Sequence, residues 1–294
     1  MTPNDWLADR FEEHRPHLRA VAYRMLGSLA EADDAVQDSW LRASRSGPDE
    51  VANLRAWLTT IVARVCLNML RSRRTHREES LSDRLPDPVV TLEGSTQPEE
   101  QALLADSVGL ALLVILDTLA PAERLAFVLH DVFKLPFDEI APMVEKTPAA
   151  ARQLASRARR RVKVASVAVP DKDQGRQREV VNAFFAAARA GDFARLVAVL
   201  DPNVLLRADF GAHRAGIPAV VYGPDAVAGL ALTGARLPDA TLIPVLVNGA
   251  VGVVTTMRGR PFSVMGFIVV GGRIIEIDAI ADPDRVARLA AGVL

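Results

Sequence analysis

The stretch FDEIAPMVEKTPAAARQLASRARRR, residues 137–161, carries the clearest structural instruction in the chain. Phe137, Ile140, Ala141 and Val144 recur at helical spacing, with Asp138 and Glu139 near the start, where a helix dipole favours negative charge. Glu145-Lys146-Thr147 reads as a turn. Thr147 suits the N-cap of a second helix, and Pro148 its first position, where no backbone N–H is needed. In that second helix Ala151, Leu154, Ala155, Ala158 and Val162 form the apolar stripe. Arg152, Gln153, Ser156, Arg157, Arg160 and Arg161 occupy its other face, and no acidic residue interrupts 147–169. The pattern predicts a helix-turn-helix with a basic second helix.

A helix of that kind fits the major groove of DNA. Arg152 and Gln153, near its N-terminus, are placed to reach base edges, where a good bidentate contact is worth about 1–3 kcal/mol of discrimination. Arg159–Arg161 and Lys163 are placed for phosphates, which give affinity without sequence information. A helix with a merely solvated cationic face would have a similar composition; the turn is what favours DNA. Towards the N-terminus lies a second cationic cluster, Arg64, Arg71, Arg73, Arg74 and Arg77 around Asn68, with Trp40 and Trp57 in the same module. Arginines that track a backbone and flat side chains that take unstacked bases would suit melted DNA. Core packing for the tryptophans, and dipole complementation for the arginines, are the plain alternatives.

Around these clusters the chain changes texture several times. Helical spacing runs to about Arg77, with a break at Gly27-Ser28, a helix over Ala30–Ala43 and a longer one from Asn53. Residues from about 78 to 98 are rich in Pro, Asp, Ser and Thr and read as a linker. Helical patterning resumes at Glu99, with Pro121 suited to open a helix striped by Leu125, Val128, Leu129 and Val132. Beyond a polar stretch at 170–175, helices are expected over Arg178–Arg189 and Phe193–Leu200, joined at Gly191-Asp192. Strands follow over Leu242–Val247, Val251–Met257, Phe262–Val270 and Arg273–Ile277, with turns at Asn248-Gly249 and Gly271-Gly272. Helices followed by an antiparallel sheet predict an α+β domain.

Bulk properties exclude more than they assign. A length of 294 residues suits two or three domains, and a formal net charge of −1 means that any basic surface is local. The single cysteine, Cys66, rules out an internal disulfide and a multi-cysteine zinc site, and its apolar helical setting predicts a buried thiol. No metal or cofactor is expected. The N-terminus lacks a secretory pattern and no apolar run reaches membrane-spanning length, so a soluble, cytoplasmic protein with no membrane partner is expected.

Several of these stretches resemble one family. Ala32-Asp33-Asp34-Ala35-Val36-Gln37-Asp38-Ser39-Trp40-Leu41-Arg42 is similar to region 2.2 of group IV, or ECF-type, RNA polymerase sigma factors. Asn53-Leu54-Arg55-Ala56-Trp57-Leu58 through Leu70-Arg71 resembles regions 2.3–2.4, and Leu119–Arg161 resembles region 4. The resemblance implies core RNA polymerase, through its clamp-helix coiled coil and flap, and promoter DNA as partners. It assigns Asp34, Gln37, Asp38 and Leu41 to polymerase docking. Asn68, Arg71, Arg73 and Arg74 go to the −10 element, and Arg152, Gln153, Ser156, Arg157 and Arg160 to the −35 element.

The C-terminal part resembles the SnoaL-like, NTF2-type cone domain appended in the sigma-J-type subgroup. Leu85-Pro86-Asp87-Pro88 matches that subgroup's linker motif, and Asp282-Pro283-Asp284-Arg285 approximates its terminal one. A glycine-rich internal motif is poorly kept, at Asp209-Phe210-Gly211-Ala212-His213-Arg214. The expected organisation is a region 2 domain over 1–80, a linker over 81–105, a region 4 helix-turn-helix domain over 106–168, a second linker over 169–175 and a SnoaL-like domain over 176–294. This is a multidomain fold of two all-α domains followed by an α+β cone. The resemblance implies modulation in cis through an intramolecular contact of the appended domain. A small-molecule ligand for the cone stays open. Asp209, His213, Asp278 and Asp282 are the groups available for proton transfer there, and ordinary capping or exposed acids are the alternative. The competing overall reading is a self-standing helix-turn-helix regulator with a ligand-binding or cyclase-like domain.

Overall fold

A computed structural model describes residues 3–46, 53–77, 85–93, 110–164, 170–211, 219–237 and 239–294. The N-terminal periodicities become three helices, α1 (Pro3–Leu26), α2 (Leu29–Ser46) and α3 (Leu54–Arg77), which pack on one another. Gly27, at φ 73°, makes the break between the first two, a left-handed conformation that glycine reaches without steric cost. Leu7, Phe11, Leu18, Val21, Met25, Leu58 and Val62 are buried between these helices. Cys66 is buried too, and desolvation pushes its thiol up to about 12, so it is inert.

The second helical module is built from α4 (Leu110–Asp117), α5 (Pro121–Phe127), α6 (Phe137–Ile140) and α7 (Pro148–Val164). Pro121 opens α5 as expected, and the helix widens into a π turn over Val128–Val132. A 3₁₀ turn at Ala141–Met143 follows α6, and Glu145 adopts φ 55° before the chain enters α7. Thr147 Oγ1 accepts a hydrogen bond from the Ala150 N–H at 3.2 Å, the N-cap read from the sequence.

Both helical modules belong to one contact unit, Met1–Ser82 with Pro98–Val167. Arg124 on α5 is 1% exposed; its Nε donates to the Arg24 carbonyl at 3.3 Å and one terminal nitrogen to Asp117 at 3.0 Å. Arg24 in turn lies 5.1 Å from the ring of Phe133, and His17 meets that ring edge-on at 5.3 Å. Arg64 reaches the Pro142 carbonyl at 3.4 Å.

The other unit is Asp83–Gln97 with Ala168–Leu294. It contains α8 (Gln174–Ala190), α9 (Phe193–Val199), α10 (Pro224–Gly234), α11 (Pro283–Ala290) and seven strands: β1 (Val90–Leu92), β2 (Leu200–Asp209), β3 (Val220–Tyr222), β4 (Ala240–Val247), β5 (Ala250–Met257), β6 (Arg260–Val270) and β7 (Arg273–Ile280). Their order in the sheet is β1-β4-β5-β6-β7-β2-β3. The antiparallel sheet expected from sequence needs one correction: β2 pairs with β7 in parallel. Both anticipated hairpins form, with Asn248-Gly249 and Gly271-Gly272 all at positive φ. Gly191 at φ 71° ends α8, and Asp192 caps α9.

Where the sequence reads as a linker, Val90–Leu92 instead adds a strand to β4, with Val90 opposite Val247. The stretch before α8 is likewise anchored. The Asp171 N–H donates to the Val269 carbonyl at 2.9 Å, and its carboxylate accepts from the N–H groups of Gly271 and Gly272. Register shifts between β2 and β7, β5 and β6, and β6 and β7 bend the sheet. Phe184, Leu196, Leu200, Val251, Val253, Phe267, Ile274 and Ile277 form the core between one sheet face and the helices.

Candidate nucleic-acid interface

Successive residues of a helix turn by about 100°, so Gln153, Ser156 and Arg160 project within one 60° sector of α7. All three are exposed, and Arg160 makes no ion pair among the described residues. Arg152 and Arg157 flank this sector, and both are tied to their own module. Arg152 places its guanidinium 5.2 Å from the ring of Phe137, which itself stacks on His130 at 3.9 Å. His130 Nδ1 lies 2.8 Å from the Leu135 carbonyl, so this histidine is part of the scaffold. Arg157 Nε donates to Glu123 at 2.8 Å, Arg161 approaches the same carboxylate at 3.3 Å, and Arg159 pairs with Asp131 at 2.6 Å. Glu123 is buried on α5, so the helix-turn-helix holds its basic helix through a carboxylate that spacing alone could not reveal.

In the first module, Arg64, Asn68 and Arg71 stand four and three residues apart along α3 and are exposed on one face. Arg73 is not on it. Two residues past Arg71 it points to the far side, donating to the Leu26 carbonyl at 3.1 Å and pairing with Glu31. The structure therefore brings Asn68 and Arg71 together but uses Arg73 as a brace; the side chain of Arg74 lies outside the described residues. Trp40 is half-buried against Phe11, at 5.2 Å between rings, and Trp57 is half-buried as well.

On α2, Asp34, Gln37, Asp38 and Leu41 fall at i, i+3, i+4 and i+7, one continuous stripe. Leu41 is 47% exposed, a large apolar side chain at the end of an acidic surface, and Asp38 pairs with Arg42 at 2.8 Å. Asp33, next to the stripe, is instead gripped by Arg19 through two hydrogen bonds of 2.6 and 3.0 Å.

The Leu85–Pro88 motif sits inside the C-terminal unit. Arg285 on α11, 4% exposed, donates to Asp87 at 2.7 Å and to the Leu85 carbonyl at 2.6 Å, and pairs with Asp209. Asp209 also accepts from the Leu85 N–H at 2.9 Å and the Gly211 N–H at 3.0 Å. Asp282 caps α11 by accepting from the Arg285 N–H at 2.9 Å, with Pro283 in the first turn and Asp284 exposed. Further along, Val89 exchanges hydrogen bonds with Asn248, and Glu93 pairs with Arg178. The clamp residues that sequence reasoning passed over as regulatory are Arg285, the last residue of the terminal motif, and Asp209.

Asp209 and Asp282 are thus structural. Asp278 stands beside Arg207, which donates to it at 2.7 Å and also pairs with Glu276. Burial raises the Asp278 carboxyl above its ordinary range, against the pull of Arg207. Leu206 and Ile277 line a cavity, so their neighbours Arg207 and Asp278 face the other side of the sheet. His213 lies outside the described residues. No helix among the described residues is long and apolar enough to cross a membrane, and no group of His, Cys, Asp and Glu among them could hold a metal.

Two helical modules, the second a helix-turn-helix with a basic face, precede an α+β domain, and this arrangement matches known proteins throughout. The Sigma-70 region 2 family matches residues 10–76 and the Sigma-70 region 4 family residues 109–162. The ECF RNA polymerase sigma factor SigJ of Mycobacterium tuberculosis is 38% identical over 288 residues, covering 94% of this chain and 91% of SigJ. The probable ECF RNA polymerase sigma factor SigI of the same species is 32% identical, covering 99% of this chain and 98% of SigI. The crystal structure of M. tuberculosis SigJ superposes with a TM-score of 0.74 at 35% identity, over 97% of this chain and 98% of that one. The chain belongs to the ECF RNA polymerase sigma factors, with an α+β domain at its C-terminus. The self-standing regulator is not favoured.

Proposed function

We propose that this sigma factor docks on core RNA polymerase through the α2 stripe Asp34–Gln37–Asp38–Leu41. In this reading it meets the −10 element through Asn68 and Arg71, and reads the −35 element through Gln153, Ser156 and Arg160, flanked by Arg152 and Arg157. The observation that carries this reading is the acid-free, exposed sector of α7, braced from behind by Glu123. A helix presenting polar and cationic side chains on a rigid support is what base-edge and phosphate contacts require. The polymerase clamp-helix coiled coil and flap are the assigned docking partners, and catalysis is left to polymerase. Among its described residues the C-terminal domain has its candidate acids committed to Arg285, Arg207 and a helix cap, which supports a role without chemistry.

Modulation in cis is assigned to the strap at Leu85–Leu92. This segment lies between the two DNA-binding modules in sequence, yet it is held by Arg285 and by β4 of the C-terminal unit. Any change in the separation of regions 2 and 4 then acts on a connection whose middle is fixed to a folded body. Run-off transcription with purified core polymerase tests the assignment, comparing the wild type with Arg160→Ala, Asp38→Ala and Arg285→Gln. Arg160→Ala is expected to lower transcription from promoters that depend on the −35 element, and Asp38→Ala to weaken capture of core. Arg285→Gln is expected to alter output without changing promoter choice. Unchanged output in all three would overturn the surface assignments.

A further inference from the structure

Phe137, the first residue of α6, is half-buried and has two partners at its ring. The imidazole of His130 stacks on it, with 3.9 Å between centroids and 27° between planes. The guanidinium of Arg152 lies over the ring at 5.2 Å. Arg152 is exposed near the N-terminal end of α7, the end of a recognition helix that meets base edges. It makes no ion pair among the described residues, whereas Arg157, Arg159 and Arg161 are each drawn to a carboxylate. The backing of the ring is irregular backbone. After α5 the helix widens into the π turn Val128–Val132, where the Phe133 N–H donates to the Val128 carbonyl at 3.1 Å. Lys134 then adopts φ 61°, an uncommon conformation for a residue other than glycine. This fold-back puts the Leu135 carbonyl 2.8 Å from His130 Nδ1, and so fixes the plane of the imidazole beneath Phe137. Such π turns recur at functional sites, and this one ends in a platform under a single arginine.

We propose that Phe137, backed by His130, is a positioning residue for −35 recognition: it holds Arg152 ready for one base pair, and discrimination at that base pair depends on the ring. A carboxylate partner would occupy guanidinium N–H donors, and a ring face occupies none of them. Arg152 is therefore held in place with its donor fork available for a bidentate base contact. A side chain held in advance also loses less conformational freedom when it meets its target. The proposal rests on the reading of α7 as the −35 helix, and its own failure is separable from the failure of that reading.

The test uses holoenzyme made from the full-length chain and purified core polymerase, with a duplex promoter selected from a library randomised over the −35 region. Affinities for every single base-pair change in that region are compared by competition, for the wild type and each variant. Arg152→Ala is expected to lose at least about fivefold of the discrimination at one base pair. Phe137→Leu keeps apolar bulk and removes the ring; it should lose about twofold to fivefold at that same base pair and little elsewhere. Phe137→Tyr should restore the discrimination, and Phe137→Leu should add nothing once Arg152 is alanine. Should Phe137→Leu fail to fold, His130→Ala takes its place and must show a loss confined to the same base pair. A loss spread evenly over all sequences, full discrimination without the ring, or no rescue by Phe137→Tyr overturns the proposal. Unchanged discrimination in Arg152→Ala overturns it too and leaves the −35 reading of α7 standing. A wild type indifferent to every −35 change overturns that reading itself.

Discussion

Arginine serves three separate purposes in this chain, and burial separates them. Arg285 is enclosed with Asp87 and Asp209, so removing it takes the cation away from two buried carboxylates. Breaking a buried ion pair from one side costs about 3–5 kcal/mol, and Arg285→Ala should lower the stability of the C-terminal unit by that order in urea unfolding. Arg157 is half-exposed and paired with the buried Glu123, whereas Arg160 is exposed and unpaired among the described residues. Arg160→Ala should therefore reduce DNA affinity at constant melting temperature, while Glu123→Gln should move both. His17 makes a different kind of prediction. Burial first, then the nearby Arg55, His14 and Arg24, depress its pKa from 6.5 to about 4. Between those values the unfolded chain binds a proton that the folded chain does not, so stability falls as pH drops from about 6.5 towards 4. His17→Gln should flatten that slope relative to the wild type, measured as melting temperature against pH.

Elements were legible in the sequence in proportion to how locally they are determined. The turn before α7 could be read because Thr147 and Pro148 act on their own backbone, and the two hairpins because Asn248-Gly249 and Gly271-Gly272 suit tight turns. β1 was not legible: its three residues sit among prolines and polar residues, and their partner strand begins at Ala240. β2 opens at Leu200, where the expected helix was to end, and its pairing with β7 makes the stretch a strand. The helices α10 and α11 were not read from the sequence, although each carries a proline in its first turn, Pro224 and Pro283. The same non-local logic hid the clamp, since Arg285 meets an Asp87 that lies 198 positions earlier in the chain. Glycines in the sheet carry a parallel lesson. A Cβ on Gly252 would meet Val247 and the Met265 carbonyl at 2.7 Å, a backbone atom that cannot swing aside. Gly252→Ala should cost about 1–3 kcal/mol by chemical denaturation.

The molecule as a whole has a formal net charge of −1, yet its second helical module ends in a strongly basic helix, so binding to DNA is a matter of placement and not of bulk charge. Promoter elements at −10 and −35 are separated by about 25 base pairs, or about 85 Å at ~3.4 Å each. The unit that holds both modules has roughly 150 residues, for which a compact body has a radius of gyration near 15 Å. The contacts of Arg124 with Arg24 and of Phe133 with His17 and Arg24 must then open before both elements are engaged. Probes on Glu12→Cys and Lys163→Cys, with Cys66 too buried to react, should move apart by tens of ångströms when core polymerase is added. The most direct test of the central assignment remains promoter-specific run-off transcription with purified core polymerase, on matched templates that differ only in the −35 sequence. The account predicts core-dependent transcripts that fall when the −35 element is changed and fall again with Arg160→Ala on the intact element. Equal transcription from both templates, or promoter binding that is indifferent to core polymerase, would contradict it.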